Sequence, residues 1–175
     1  LKVSKGKVDL SPKDQERVAR EQVVLNKVYA DSGPQPLFQS SFLPPLPSKV
    51  TSIYGTKRTF NGKHQTQHLG TDFRASIGVP VPASNAGKVV LSRHLFFTGY
   101  TVIMDHGLGI FSMYGHLSKL QVKLGEYVPQ GTILGLSGAT GRASGPHLHW
   151  GVKVHGHWID GDSLVVATGA KNVVH

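Results

Sequence analysis

The chain has 175 residues, enough for one globular domain with its own core plus an appendage. Nineteen Lys and Arg against ten Asp and Glu leave a net charge of +9, which favours polyanionic partners, yet the basic residues are spread along the chain without the aromatic interleaving of a nucleic-acid platform, so no nucleic acid is expected. With no cysteine there is neither a disulfide framework nor a thiolate metal site, and no run approaches the roughly 18 apolar residues of a transmembrane helix.

Residues Leu1 to Leu10 alternate weakly and read as the last strand of something upstream. A start at Leu1 rather than Met suggests a processed form or a cloned fragment. Ser11-Pro12-Lys13-Asp14 predicts a helix start, with Ser11 as N-cap, Pro12 at the first helical position and Asp14 answering as in a capping box. Val18, Val24, Leu25 and Val28 give that helix an apolar stripe to about Tyr29. Asp31 to Lys49 holds Pro34, Pro36, Pro44, Pro45 and Pro47, too many for a helix or a central strand. It reads as a surface strap anchored by Phe38, Phe42 and Leu43. Residues 1–49 are thus expected to be a strand remnant, helix and Pro-rich linker packing on a core formed by residues 50–175.

From Val50 the pattern turns to β. Lys88–Ser92, Thr101–Asp105, Ile110–Tyr114 and Thr132–Leu136 are short, rich in β-branched and aromatic residues, and separated by Gly-containing turns. Leu120, Val122 and Leu124 alternate with Lys119, Gln121 and Lys123 and predict another half-buried strand. The expected fold is mainly β, a compact antiparallel sandwich or barrel-like core with one short N-terminal helix and the Pro-rich strap.

If His147 to Val154 is extended, His147, His149, Gly151 and Lys153 share one face, and Leu148, Trp150, Val152 and Val154 the other. One face is chemical and the other is core. His68 and Asp72 also share strand parity, but four rises span roughly 13 Å, so a bend is needed, and Gly70 permits one. A His-x-His alone reads as two solvated imidazoles on a surface strand. Joined to His68-x-x-x-Asp72, it reads as two imidazoles and a carboxylate, the ligand count of a catalytic zinc that keeps a fourth position open.

His68-Leu69-Gly70-Thr71-Asp72-Phe73, Gly78-Val79-Pro80-Val81-Pro82-Ala83, Gly87-Lys88-Val89, Asp105-His106-Gly107, Tyr114-Gly115-His116-Leu117-Ser118, Gly125-Glu126-Tyr127-Val128, Gly138-Ala139-Thr140-Gly141 and Gly145-Pro146-His147-Leu148-His149 follow in order. From about Ser52 to about Leu164 this succession resembles the lysostaphin-type zinc metallopeptidases. The resemblance implies a compact, mostly antiparallel β fold with zinc in a groove across one sheet. It implies His68, Asp72 and His149 as zinc ligands, and His116 and His147 as the pair assisting a zinc-bound hydroxide, since no HExxH helix supplies a glutamate base. Asn61 falls where family members place groove-lining residues and is a candidate substrate contact, while Arg58 suits that role and a surface ion pair equally.

By the same resemblance the substrate is bacterial peptidoglycan, with the D-alanyl-meso-diaminopimelate bond favoured over glycine bridges. The location is extracytoplasmic and the chain a monomer. The rival from another class is a wall-binding regulator of an amidase that has kept its metal, against which intact His116 and His147 count. His106 reads as structural, and His64, His94, His155, His157 and His175 as solvated. One departure from the family pattern is Asp160-Gly161, where relatives commonly read Asp-Pro or Asn-Pro, which bears on the path of the C-terminal tail.

Overall fold

The fold, given by a computed structural model, is described for residues 1–169. His175 and the last residues of the expected core segment lie outside them. Helix α1 (Pro12–Ala30) starts as its sequence dictates: the Ser11 hydroxyl accepts from the Asp14 backbone N–H (3.2 Å) and donates to the Asp14 carboxylate (2.9 Å). Val24, Leu25, Val28 and Tyr29 pack on a cluster of Leu91, Leu95, Ile103, Phe111 and Met113. A polar tie absent from the stripe reading fixes the helix as well. Buried Glu21 accepts from Arg17 (2.7 Å) and from the Phe96 backbone N–H (2.8 Å).

The segment before α1 corrects the sequence reading. Leu1 to Leu10 form no strand, and Lys5–Lys7 make a turn of 3-10 helix. That turn sets the Lys7 ammonium 3.8 Å from the Phe96 ring centroid, a contact an extended chain would forgo. In the strap, Phe42 is fully buried and packs edge-on against Phe38, as expected, but Leu43 is 48% exposed and Leu46 supplies the other buried anchor. The Leu43 N–H donates to Ser84 O (3.1 Å), which ties this backbone to the core while the Leu43 side chain stays in solvent.

Thirteen strands follow among the described residues: β1 (Val50–Ser52), β2 (Lys57–Phe60), β3 (His64–Gln67), β4 (Thr71–Arg74), β5 (Pro80–Pro82), β6 (Gly87–Leu95), β7 (Gly99–Asp105), β8 (Ile110–Leu117), β9 (Lys119–Leu120), β10 (Tyr127–Val128), β11 (Ile133–Leu136), β12 (His147–Val154) and β13 (His157–Ile159). They form an eight-stranded antiparallel sheet in the order β1-β4-β12-β8-β7-β6-β10 with β13 beside β12, a three-stranded sheet β5-β11-β9, and the hairpin β2-β3. The main core lies between the two larger sheets. Leu148, Trp150, Val152, Val102 and Tyr114 from one face of the large sheet meet Val81 and Leu134 from the small one, with Phe42 and Leu46 of the strap. α1 covers part of the opposite face, and the remainder of that face carries the site.

The alternation over Lys119–Leu124 does not become a strand beyond Leu120. Val122 is buried and its carbonyl accepts from Ser92 (2.7 Å), whereas Leu124 is 70% exposed where Gly125 turns the chain at φ 93°. Helix α2 (Gly161–Ala167) explains the Asp160-Gly161 pair. Asp160 caps the helix through the Asp162 N–H (3.1 Å), and a β-carbon at Gly161 would stand 2.3 Å from the Trp150 ring. No helix among the described residues is long and apolar enough to cross a membrane.

Candidate metal centre

Strand register brings the first two donors together. β12 pairs with β4 so that His149 faces Asp72, and side chains opposite each other project from the same face. His68 precedes β4 outside any strand, its backbone held by N–H donation to Thr56 O and acceptance from Gly55 N–H, both 2.8 Å. The chain bends back over Gly70, where a β-carbon would lie 2.5 Å from Trp150 O and 2.6 Å from His149 Cε1. Glycine is required by this approach. His68 thereby reaches the site from the side.

The three donors form a nearly equilateral triangle. His68 Nε2 and His149 Nδ1 are each 2.9 Å from Asp72 Oδ1 and 3.1 Å from one another. A tetrahedral zinc at about 2.0 Å from each donor would set them about 3.3 Å apart, so a few tenths of an ångström separate this arrangement from a zinc cage. All three residues are buried. The donor set of two imidazoles and one carboxylate fits zinc chemistry and could hold a metal ion.

Surrounding groups orient two of the three donors, His68 and Asp72. The His68 Nδ1 lies 2.9 Å from the Ile53 carbonyl, which can only accept, so Nδ1 carries the proton and Nε2 presents its lone pair to the site. Arg58 donates to Asp72 Oδ2 and to Ser52 Oγ (2.9 Å), leaving Oδ1 to the imidazoles. Burial alone would raise the Asp72 carboxyl, but the His149 and His68 rings set against it and the charges of His149 and His147 hold it well below the usual carboxylate range. Burial pushes His149 down, against the opposing pull of Asp72.

His147 and His116 stand beside the triangle, their ring centroids 4.7 Å apart. His147 is two residues before His149 on the same strand face, and its Nε2 is 3.7 Å from Asp72 Oδ2. His116 arrives differently. In β8, Tyr114 and Leu117 are both fully buried in the main core, a spacing of three where strict alternation allows two or four. The pairing with β7 shifts between Tyr100 and Val102, and His116 takes φ 60°, a left-handed conformation that costs a non-glycine residue energy. This bulge turns the imidazole to the groove instead of the core, a device that the run Ile110–Tyr114 did not announce.

Both rings have their tautomer fixed. Nδ1 of His116 lies 2.7 Å from Thr140 O and Nδ1 of His147 2.9 Å from Gly145 O, so each Nδ1 donates and each Nε2 holds a lone pair. The His147 Nε2 is buried with no hydrogen-bond partner among the described residues. Burial, with the charges of His147 and His149, lowers His116 to about 3, against the opposing effects of Thr140 and Asp72. Two lone pairs thus stand beside a candidate metal position.

A cavity of about 430 Å³ containing His68, His116 and His149 runs from the site to α1, and a second of about 630 Å³ containing Asp72 and His147 opens on the other side of Arg58. Asn61 faces neither. It occupies the β2-β3 turn at φ 48°, exchanging hydrogen bonds with the Val3 backbone, both 3.1 Å. Arg58 is 17% exposed at its side chain and belongs to the donor site, not to a surface ion pair. His106 is fully buried, 2.7 Å from Ala86 O and 2.7 Å from Ser112 Oγ, apart from the triangle. His64, His155 and His157 are exposed, but His94 is half-buried, with Arg17 on its Nδ1 at 3.0 Å.

Comparison with known proteins bears on this geometry. The model of Peptidase family M23 matches residues 66–161. The chain is 46% identical over 94 residues to the peptidoglycan DD-endopeptidase ShyA of Vibrio cholerae, covering 54% of this chain and 22% of that protein. The catalytic domain of lysostaphin, an antimicrobial peptidase from Staphylococcus simulans, superposes with a TM-score of 0.61 at 33% identity, over 68% of this chain and 92% of that one. A zinc-containing peptidase from Vibrio cholerae superposes with a TM-score of 0.62 at 33% identity, over 73% of this chain and 39% of that one. The chain spans about a quarter of the length of the curated relatives that head the comparison.

Proposed function

The chain belongs to Peptidase family M23, and from that membership we propose that it is a zinc-dependent endopeptidase hydrolysing peptide cross-links of bacterial peptidoglycan outside the cytoplasm. The bond proposed is D-alanyl-meso-diaminopimelate, the reading supported by similarity to a peptidoglycan DD-endopeptidase. The observation that carries the proposal is the triangle of His68, Asp72 and His149 with two tautomer-fixed imidazoles beside it.

His68 Nε2, Asp72 Oδ1 and His149 Nδ1 would hold the zinc. When bound there it supplies a Lewis acid that polarises the scissile carbonyl and activates water. The work left to the chain is proton transfer and orientation. A neutral imidazole with its proton fixed on Nδ1 can only accept at Nε2, so His116 or His147 takes a proton from the attacking water and then, as a donor, returns it to the leaving amine. The other histidine steadies the charge that develops on the carbonyl oxygen when it carries a second proton, on Nε2, and donates from there. Arg58 keeps Asp72 turned to the donors, and the Ile53 carbonyl does the same for His68.

A metal-retaining regulator would have no use for two oriented, unencumbered Nε2 atoms, one of them buried without a partner among the described residues. Removing metal with a chelator and restoring zinc tests the proposal. Hydrolysis of purified peptidoglycan should be lost and recovered, with elemental analysis following the zinc; hydrolysis that persists in metal-free protein overturns it.

A further inference from the structure

We propose that Arg142 determines specificity by binding the carboxylate that flanks the scissile amide of a diaminopimelate cross-link, an inference that rests on the cross-link reading above. Arg142 lies in the loop before β12, where its backbone N–H donates to Phe97 O (2.7 Å). The guanidinium carbon stands 4.2 Å from the Phe60 ring centroid and 4.4 Å from that of Phe97. Phe60 comes from the β2-β3 hairpin and Phe97 from the turn between β6 and β7, so separate parts of the fold hold this cation.

Stacking occupies the faces of a guanidinium and leaves its N–H edge to bond in plane. Among the described residues nothing accepts a hydrogen bond from that edge, and no carboxylate forms an ion pair with it. The neighbouring guanidinium differs in this respect. Arg58 is engaged by Asp72 and Ser52. Arg142 is half-buried and lines both cavities that flank the donor triangle. Burial, with the charge of Arg58 added, already works against its protonated form. A cation in that position without a counter-charge is costly unless a ligand supplies one.

The substrate carries such a group. The carbon bearing the leaving nitrogen of a D-alanyl-diaminopimelate cross-link also bears a free carboxylate, one carbon away from the bond that breaks. With the carbonyl at the donor triangle, this carboxylate would lie in the space that Arg142 lines, and the planar fork could take both oxygens. A glycine bridge has no carboxylate at that place. Arg142 thus selects the acidic cross-link and orients its leaving amine.

The test uses two synthetic cross-linked dimers that differ only in whether this carboxylate is free or amidated, with wild type, Arg142→Gln and Arg142→Lys. Amidation should lower wild-type kcat/KM roughly tenfold to a hundredfold, the scale of a hydrogen bond to a charged group. Arg142→Gln should lose a similar factor on the acid and almost nothing more on the amide, and Arg142→Lys should recover part of the loss. Equal losses on both dimers, or a wild type that does not distinguish them, would overturn the proposal. Binding of the amine-bearing product peptide and of its amide to metal-free protein, followed by NMR, gives a readout independent of turnover. Preference for the acid that disappears in Arg142→Gln supports the site, and equal affinities overturn it. A preserved binding preference with neither dimer cleaved would support the carboxylate site while overturning the assigned bond.

Discussion

Gly70 and His149 occupy each other's space: a β-carbon on Gly70 would stand 2.6 Å from His149 Cε1 and 2.8 Å from its Nε2. Trp150 O, at 2.5 Å from the same position, is backbone in a paired strand and cannot retreat. The segment carrying Gly70 and His68 must therefore move, and the His149 ring with it. Gly70→Ala is expected to keep the fold and lower zinc affinity by at least tenfold, on the scale reported for losses in the groups that orient metal ligands. Competition with a zinc indicator dye, beside a circular dichroism spectrum, measures both. Wild-type zinc affinity in a folded variant would mean that the triangle tolerates displacement or is not the metal position.

His147 and His149 lie two residues apart on one strand face and are assigned different work. His149→Ala removes one of three donors and should lower zinc affinity severely. His147→Ala should keep zinc and lose roughly a hundredfold or more in rate, the scale of an acid-base or oxyanion group. Bound zinc and turnover at saturating zinc, measured on both purified variants, separate the roles. Loss of metal from His147→Ala with retention in His149→Ala would exchange them.

How far these residues could be read from sequence differs from one to the next. The β12 pattern was fully legible, because alternation alone places Leu148, Trp150 and Val152 in the core and the two histidines opposite. The helix start was legible because a capping box is local chemistry. The alternation over Lys119–Leu124 was legible only at its start, where Lys119–Leu120 pair with β11, since beyond them one buried Val122 and a glycine turn imitate a longer strand. Arg58 reaches Asp72 only through the fold-back of the β2-β3 hairpin, which no local pattern encodes. The bulge that turns His116 to the groove is likewise set by register against β7. Asn61 is taken by the N-terminal segment, a tertiary contact across 58 residues.

His106 gives a pH dependence unrelated to the metal site. Burial lowers its folded value to about 4 from an ordinary 6.5, against the raising effects of Ala86 and Asp105. Between those values the unfolded chain takes up a proton that the folded protein refuses, so stability falls as pH drops from about 6.5 towards 4. A shift of that size corresponds to roughly 3 kcal/mol at most. Urea unfolding of metal-free wild type and His106→Asn at pH 7.5 and 4.5 measures it. Wild type should lose more stability than the variant over that interval, and identical losses would show that His106 is not the group responsible.

The function proposed for this geometry is cleavage of the D-alanyl-meso-diaminopimelate cross-link of peptidoglycan. Its most direct test is mass spectrometry of a purified diaminopimelate-linked muropeptide dimer after incubation with the zinc-loaded protein, with a glycine-bridged peptide alongside. Conversion of the dimer to monomers is expected, with one new free amine for each bond cut and no new reducing sugar ends, as befits a site without paired glycosidase carboxylates. An intact dimer, reducing ends released from glycan, or cleavage confined to the glycine-bridged peptide would contradict it.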